Sequence, residues 1–284
     1  MPSALAHFRK FGLREGRRLR MPLTDAFRDA KARKLARIEP LLRMGDACVR
    51  TSRFFDCLTD ELRQQFQIDD GGAESSNDYD GDALALFERH RDGLVLDVGA
   101  GRRSTYIDNV VNFEIAPFES TDVRGVAERL PFVDACFDAV VSIAVLEHVR
   151  DPVGAAAEIV RVLKPGGELM CCVAFLQPLH GYPHHYFNMT HTGLRSLFEP
   201  GVHVERVTTP DSTLPIFSLT WILQRWANGL TEPARREFLS LTVSDLLGPP
   251  ASYLDRGWVR GLSAEKNLEL ASACVLYGRK RDER

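Results

Sequence analysis

Three groups of residues in this chain have the types and spacing to do chemistry. The first is Asp97-Val-Gly99-Ala100-Gly101, which follows directly on the apolar Leu94-Val-Leu96. It reads as a buried strand running into a glycine turn, where a nucleotide-like ligand can approach backbone that carries no Cβ. Such a turn serves equally as a tight strand-to-helix connection without a ligand. Glu114 ends the next apolar run, seventeen residues after Asp97. A carboxylate at that place can accept hydrogen bonds from both hydroxyls of a ribose.

The second group is His148, in Leu-Glu-His at the end of another apolar run. An imidazole titrating near neutrality suits proton removal from a hydroxyl or amine. A loop-holding histidine bonded to backbone is the competing reading. The third group is Gln177-Pro-Leu-His180-Gly-Tyr182-Pro-His184-His185-Tyr186-Phe-Asn188-Met-Thr190. Its histidines invite a metal. However, no carboxylate lies between His180 and Thr190, no helix sets ligand spacing, and Tyr182, Tyr186 and Asn188 suit hydrogen bonding. No metal is therefore expected. The segment reads as a polar substrate-binding wall, with His180, His184 or His185 as further candidate bases, or as a structural loop.

The elements that must position these groups alternate. Strands are expected at 93–98, 110–115, 122–124, 137–143 and 168–175, and helices at 82–90, 151–163 and 190–198. This order argues for an α/β chain with a parallel sheet covered by helices on both faces. Asp151 caps a helix that Pro152 opens, and Lys164-Pro-Gly-Gly167 closes it. The pattern adds strands at 202–207 and 271–278, helices at 22–45 and 49–66, and a polar linker at 69–78. A Trp-containing, mostly helical insert occupies about 213–262. The domains read as a basic helical extension with linker (1–80), a ligand-binding core (81–212), a helical insert (213–265), and a final strand with tail (266–284).

Length and composition suit a globular protein rather than a fibrous or membrane-spanning one. With 44% hydrophobic and 26% charged residues, the 284-residue chain has no apolar run long enough to span a bilayer. It opens without a secretory signal pattern, which points to the cytoplasm. Six cysteines without C-x-x-C spacing read as buried reduced thiols. Residues 1–45 hold twelve Lys/Arg against four acids, although the whole chain carries a net charge of −3. This segment suits contact with an anionic membrane surface or an acidic partner, and equally a solvated helix covering an acidic body.

The full series is Asp97-Val-Gly-Ala-Gly101, Glu114, Glu128-Arg-Leu-Pro-Phe132, Phe137-Asp-Ala-Val-Val141, Val145-Leu-Glu-His148, Asp151-Pro152 and Arg161-Val-Leu-Lys-Pro-Gly-Gly167. It resembles the class I S-adenosylmethionine-dependent methyltransferases of small-molecule type, over residues 93–175. The resemblance implies a Rossmann-like, seven-stranded, mostly parallel sheet with an antiparallel last strand. It implies that Asp97, Gly99, Ala100 and Gly101 hold the methionine part of S-adenosylmethionine and that Glu114 holds the ribose. Ile115, Val126 and Ala127 then lie beside the adenine, and Ser142 to Ala144 near the methyl group. Two departures stand out: Arg102-Arg103 replaces a small residue, and the interval to the next strand leaves little room for a helix. Arg102 or Arg103 suits the cofactor carboxylate. Val126 replaces an acid, leaving Glu128 or backbone to recognise the adenine amine.

The expected function is methyl transfer to a small-molecule or glycan acceptor, at oxygen in preference to nitrogen or carbon. The insert, with Trp221 at its acceptor side, suits a lid, core packing or a homodimer contact. Nucleic acid is not an expected partner, since no base-methylating motif appears. The alternative is a non-catalytic cofactor-binding scaffold that docks a partner through its basic arm.

Overall fold

The computed structural model describes residues 24–43, 47–68, 78–181 and 184–273. They fall into two compact units, one of the described residues up to 175 with those of 181–206, the other of residues 176–180 with 207–273. The first unit is built on a seven-stranded sheet: β1 (Val49–Arg50), β2 (Phe55–Asp56), β3 (Val95–Val98), β4 (Val110–Glu114), β5 (Val123–Arg124), β6 (Phe137–Ile143) and β7 (Leu163–Cys172), in the order β1-β2-β5-β4-β3-β6-β7. All neighbours are parallel except β1 and β2.

Alternation along the central strands sends side chains into two cores. Leu96 and Val98 of β3, Val111 and Phe113 of β4, and Val140 of β6 face one core. That face is covered by α1 (Asp25–Ile38), α4 (Pro152–Val162) and α5 (His191–Phe198), through Leu35, Ile159 and Phe198 among others. Val95, Val110, Ala139 and Val141 face the other core, under Ala83, Leu86 and Phe87 of α3 (Gly81–Arg89). Both α3 and α4 start where an aspartate accepts an N-terminal amide: Asp80 from Ala83, and Asp151 from Gly154.

The extension before the core departs from the helical expectation over 49–66. Its first part forms β1 and β2, and only α2 (Asp60–Phe66) is helical. Cys48 and Cys57 form a disulfide across this hairpin, where reduced thiols were expected; Cys136, Cys171 and Cys172 are unbridged. The antiparallel pair therefore lies at the β1 edge. The expected last strand is not formed at 271–273, and its remainder lies outside the described residues. Residues 202–207 make no ladder in the described chain, where a strand was expected.

No helix forms between β3 and β4. Helix α1 docks on that segment instead. The Lys34 ammonium donates to the Val110 carbonyl at 2.6 Å and pairs with Asp122 at 3.1 Å, both side chains fully buried. Asp122 also accepts from the Asn112 amide at 2.9 Å and from the Tyr106 hydroxyl. Lys31 reaches the carbonyls of Glu119 and Thr121. Burial pulls the Lys34 ammonium below its usual range, with Asp122 opposing that shift. Over its described part, the basic segment covers the body of the sheet; residues 1–23 lie outside the described chain.

The second unit has its own core of Ala227, Leu230, Phe238, Trp258 and Leu262. These come from α6 (Pro215–Gly229), α7 (Ala234–Ser240), α8 (Gly257–Arg260) and the turns between; α9 (Ala264–Leu270) follows. Among the described residues, no helix is long and apolar enough to cross a membrane.

Removing one partner of a buried, hydrogen-bonded ion pair leaves the other uncompensated. Lys34→Ala is expected to lower stability by about 3–5 kcal/mol. Arg33→Ala on the exposed side of the same helix should change it by less than about 0.5 kcal/mol. Urea unfolding of the two variants checks this, and equal losses would show the lysine to be superficial.

Candidate active site at the carboxyl edge of the sheet

The chain steps outward from β3 to β4 and β5, then returns to place β6 on the other side of β3. Ligands of open α/β sheets sit beyond the carboxyl ends of the strands at such a reversal. Here the edge is made by residues 99–103 after β3, Glu114 at the end of β4 and Ile115 after it, Arg124 at the end of β5 with 125–128, and Ser142 and Ile143 at the end of β6 with 144–148.

Two positive-φ glycines turn the chain after β3, Gly99 at 73° and Gly101 at 65°. A Cβ on Gly99 would lie 2.3 Å from Val145 Cγ2, so glycine lets the β3 and β6 ends meet. The turn's amides serve the next strand rather than opening toward a ligand. Those of Gly99 and Ala100 donate to the Phe113 carbonyl, and that of Gly101 to Glu114 Oε2 at 2.6 Å. Glu114 Oε1 accepts from the amides of Ile115 and Ala116. Three of about four lone-pair sites on this carboxylate are thus taken. Burial pushes the Glu114 carboxyl up, against the lowering effect of these amides.

Asp97 is fully buried at the end of β3. Its Oδ2 accepts from Arg103 Nη2 at 2.7 Å and from the Tyr79 hydroxyl at 2.5 Å. The Arg103 guanidinium lies 3.8 Å from the centre of the Tyr79 ring. The Arg102 guanidinium lies over the Phe118 ring at 5.1 Å. Val126 and Ala127 are buried and apolar, while Glu128 accepts from the Arg150 amide at the start of α4.

The histidine segment is stitched to the β6 end. The amides of Tyr186 and Phe187 donate to the Glu147 carbonyl at 2.7 and 3.2 Å, and Met189 to that of Ala174 at 2.8 Å. His148 Nδ1 lies 2.8 Å from the His184 carbonyl oxygen. A carbonyl only accepts, so the neutral ring carries its proton on Nδ1 and its lone pair on Nε2. By the same argument His185 donates from Nε2 to Phe187 O and Asn188 Oδ1. His148 and His185 meet edge to face, with ring centroids 5.4 Å apart. His184 is exposed and packs on Tyr186 at 5.2 Å. Tyr182 lies outside the described residues. His180 and Trp221 belong to the second unit, where His180 faces the Pro178 carbonyl and Trp221 packs on Phe217.

Among the described residues, the buried side-chain polar atoms without a hydrogen-bond partner are Asp97 Oδ1, Ser142 Oγ, both Glu147 carboxylate oxygens and the Tyr186 hydroxyl. All belong to the ends of β3 and β6 or to the segment stitched onto Glu147. Native proteins leave few such atoms, and a bound polar ligand is a usual reason for them. Glu147 was passed over in the sequence; its one signal is an acid within an otherwise apolar turn. Burial pushes its carboxyl up to about 7. Ala144, beside Ser142, holds a positive φ of 56° and donates to the Cys172 carbonyl.

Gly181 supports this arrangement, with φ at 79° and a Cβ position 2.2 Å from His148 Cε1. Gly181→Ala is expected to displace the imidazole and to cost about 1–3 kcal/mol of stability. Thermal unfolding and the chemical shifts of the His148 ring check this; an unmoved ring would show that the loop yields instead.

A family model described as a methyltransferase domain matches residues 96–171. An uncharacterized methyltransferase of Schizosaccharomyces pombe is 47% identical over 58 residues, 20% of this chain and 21% of that protein. A demethylmenaquinone methyltransferase of Mycobacterium sp. (strain KMS) is 48% identical over 50 residues, 18% of this chain and 22% of that protein. The chain thus spans about a fifth of the length of these curated relatives. Haemonchus contortus phosphoethanolamine N-methyltransferase 2, solved with S-adenosyl-L-methionine, aligns at 16% identity and a TM-score of 0.34, over 62% of this chain and 49% of that one. The glycine turn, the Glu114 acid and the strand order, together with the family match, place the segment 96–171 among the class I S-adenosylmethionine-dependent methyltransferase domains.

Proposed function

We propose that this chain transfers the methyl group of S-adenosylmethionine to a hydroxyl of a small molecule or glycan, with His148 taking the acceptor's proton. The clustering of unpartnered buried polar atoms at one edge of a methyltransferase domain supports this reading. The residues present fit the cofactor. Asp97 keeps one carboxylate oxygen unpartnered in a buried site, which suits a cationic ligand. Gly99 and Gly101 remove bulk from the turn, and Glu114 retains acceptor capacity for a ribose hydroxyl. Ile115, Val126 and Ala127 offer apolar surface for the adenine, and Ala144 lies at the β6 end nearest the reacting centre.

When bound, the cofactor supplies an already activated methyl group. The protein's own residues then have to orient the acceptor, exclude water and accept a proton. His148 meets the last requirement through the Nε2 lone pair that its Nδ1 contact imposes. Tyr186 and Asn188 suit acceptor orientation, which favours a hydroxyl-bearing compound over a carbon nucleophile.

Calorimetry with S-adenosylmethionine and S-adenosylhomocysteine should show binding heat, and Glu114→Ala should weaken it by about 1–3 kcal/mol. No heat at millimolar cofactor would overturn the reading. His148→Gln should lower transfer of a labelled methyl group into a metabolite extract roughly 10²-fold or more, with cofactor affinity retained. Wild-type transfer in that variant would return His148 to a structural role.

A further inference from the structure

We propose that Glu147 is a positioning residue for His148: a buried carboxyl that raises the imidazole's proton affinity and balances its charge once it has taken the acceptor's proton. This rests on the reading of His148 as proton acceptor. Glu147 is fully buried, and neither carboxylate oxygen has a hydrogen-bond partner among the described residues. A carboxylate oxygen lies within 4.8 Å of a ring nitrogen of His148. At that range and burial, the two groups feel each other's charge far more than they would in water.

On β7, burial pushes the thiols of Cys171 and Cys172 up, so they stay neutral around pH 7, and the charge of Glu147 acts in the same direction. From the stitched segment come Tyr186, with an unpartnered hydroxyl, and His185, edge-on to His148. Asp80 adds negative potential at the Cys172 thiol. Burial alone disfavours the Glu147 carboxylate; a proton on His148 favours it. The pair therefore gains proton affinity at the imidazole and loses it at the carboxyl, by equal amounts.

In the transfer step, the acceptor oxygen forms its bond to the methyl carbon as the carbon–sulfur bond breaks, with that electron pair going to sulfur. The hydroxyl proton passes to His148 Nε2, and ionised Glu147 compensates the imidazolium. No oxidant or further reactant enters. The pair works as a base once it has lost its proton, so activity rises with pH through its titration. Without the carboxyl, the rise falls at lower pH.

Histidine- and glutamate-selective carbon-13 labelling of the full chain reads both midpoints without an acceptor. Glu147→Gln should lower the proton affinity of the His148 ring about tenfold. His148→Gln should raise that of the Glu147 carboxyl by a similar factor. The second variant keeps the test decisive if the first does not fold. Unchanged midpoints, or a shift in one group without the other, would overturn the pairing. Loss of methyl transfer in His148→Gln with no coupling would keep His148 as base and dismiss Glu147. Coupling with wild-type transfer would sustain the pair and dismiss the base.

Discussion

A carboxylate at the end of a strand buried on both faces must be compensated where it stands. Asp97 is that group, and much of the carboxyl edge follows from it. Tyr79 and Arg103 converge on one of its oxygens, Arg103 stacking on the Tyr79 ring as it does so. The chain after β3 therefore turns back onto its own strand, with the amides of residues 99–101 bonded to the end of β4. The glycines matter here for their positive φ and for the close approach of Val145, more than for exposed amides. One oxygen of Asp97 has no hydrogen-bond partner among the described residues.

The helix-free link from β3 to β4 has a second consequence. Without a crossover helix, that part of the sheet would stand uncovered, and α1 supplies the cover. Its lysines do so with their charges, anchored on Val110 and Asp122 and on the carbonyls of Glu119 and Thr121. The surplus of positive charge in the first 45 residues is thus partly structural. The disulfide between Cys48 and Cys57 holds the neighbouring hairpin, which extends the sheet beyond β5.

Across the edge, the histidine segment is organised by backbone bonds to Glu147 and Ala174. Those bonds bring the His184 carbonyl to His148 and so decide which ring nitrogen holds the proton. The same turn buries the Glu147 carboxyl beside that ring. An imidazole and a buried carboxyl are therefore adjacent in the sequence, yet they face different surroundings.

Local pattern determined a good deal. The apolar runs of β3, β4 and β6, the Asp151 cap, the glycine turn and the missing helix after Arg103 were all readable. Each depends on neighbours within a few residues, and side-chain periodicity or backbone sterics encode such features directly. Other features were decided only by the folded chain. Two-residue strands such as β1 and β2 are too short to show a period, and nothing in the spacing of Cys48 and Cys57 distinguishes a bridge from two thiols. The pairing of Arg103 with Asp97, the internal use of Lys34, and the burial of Glu147 depend on which distant groups share a low-dielectric site. Desolvation and charge pairing are properties of that assembled surrounding, and they arise only when strands far apart in the chain lie side by side.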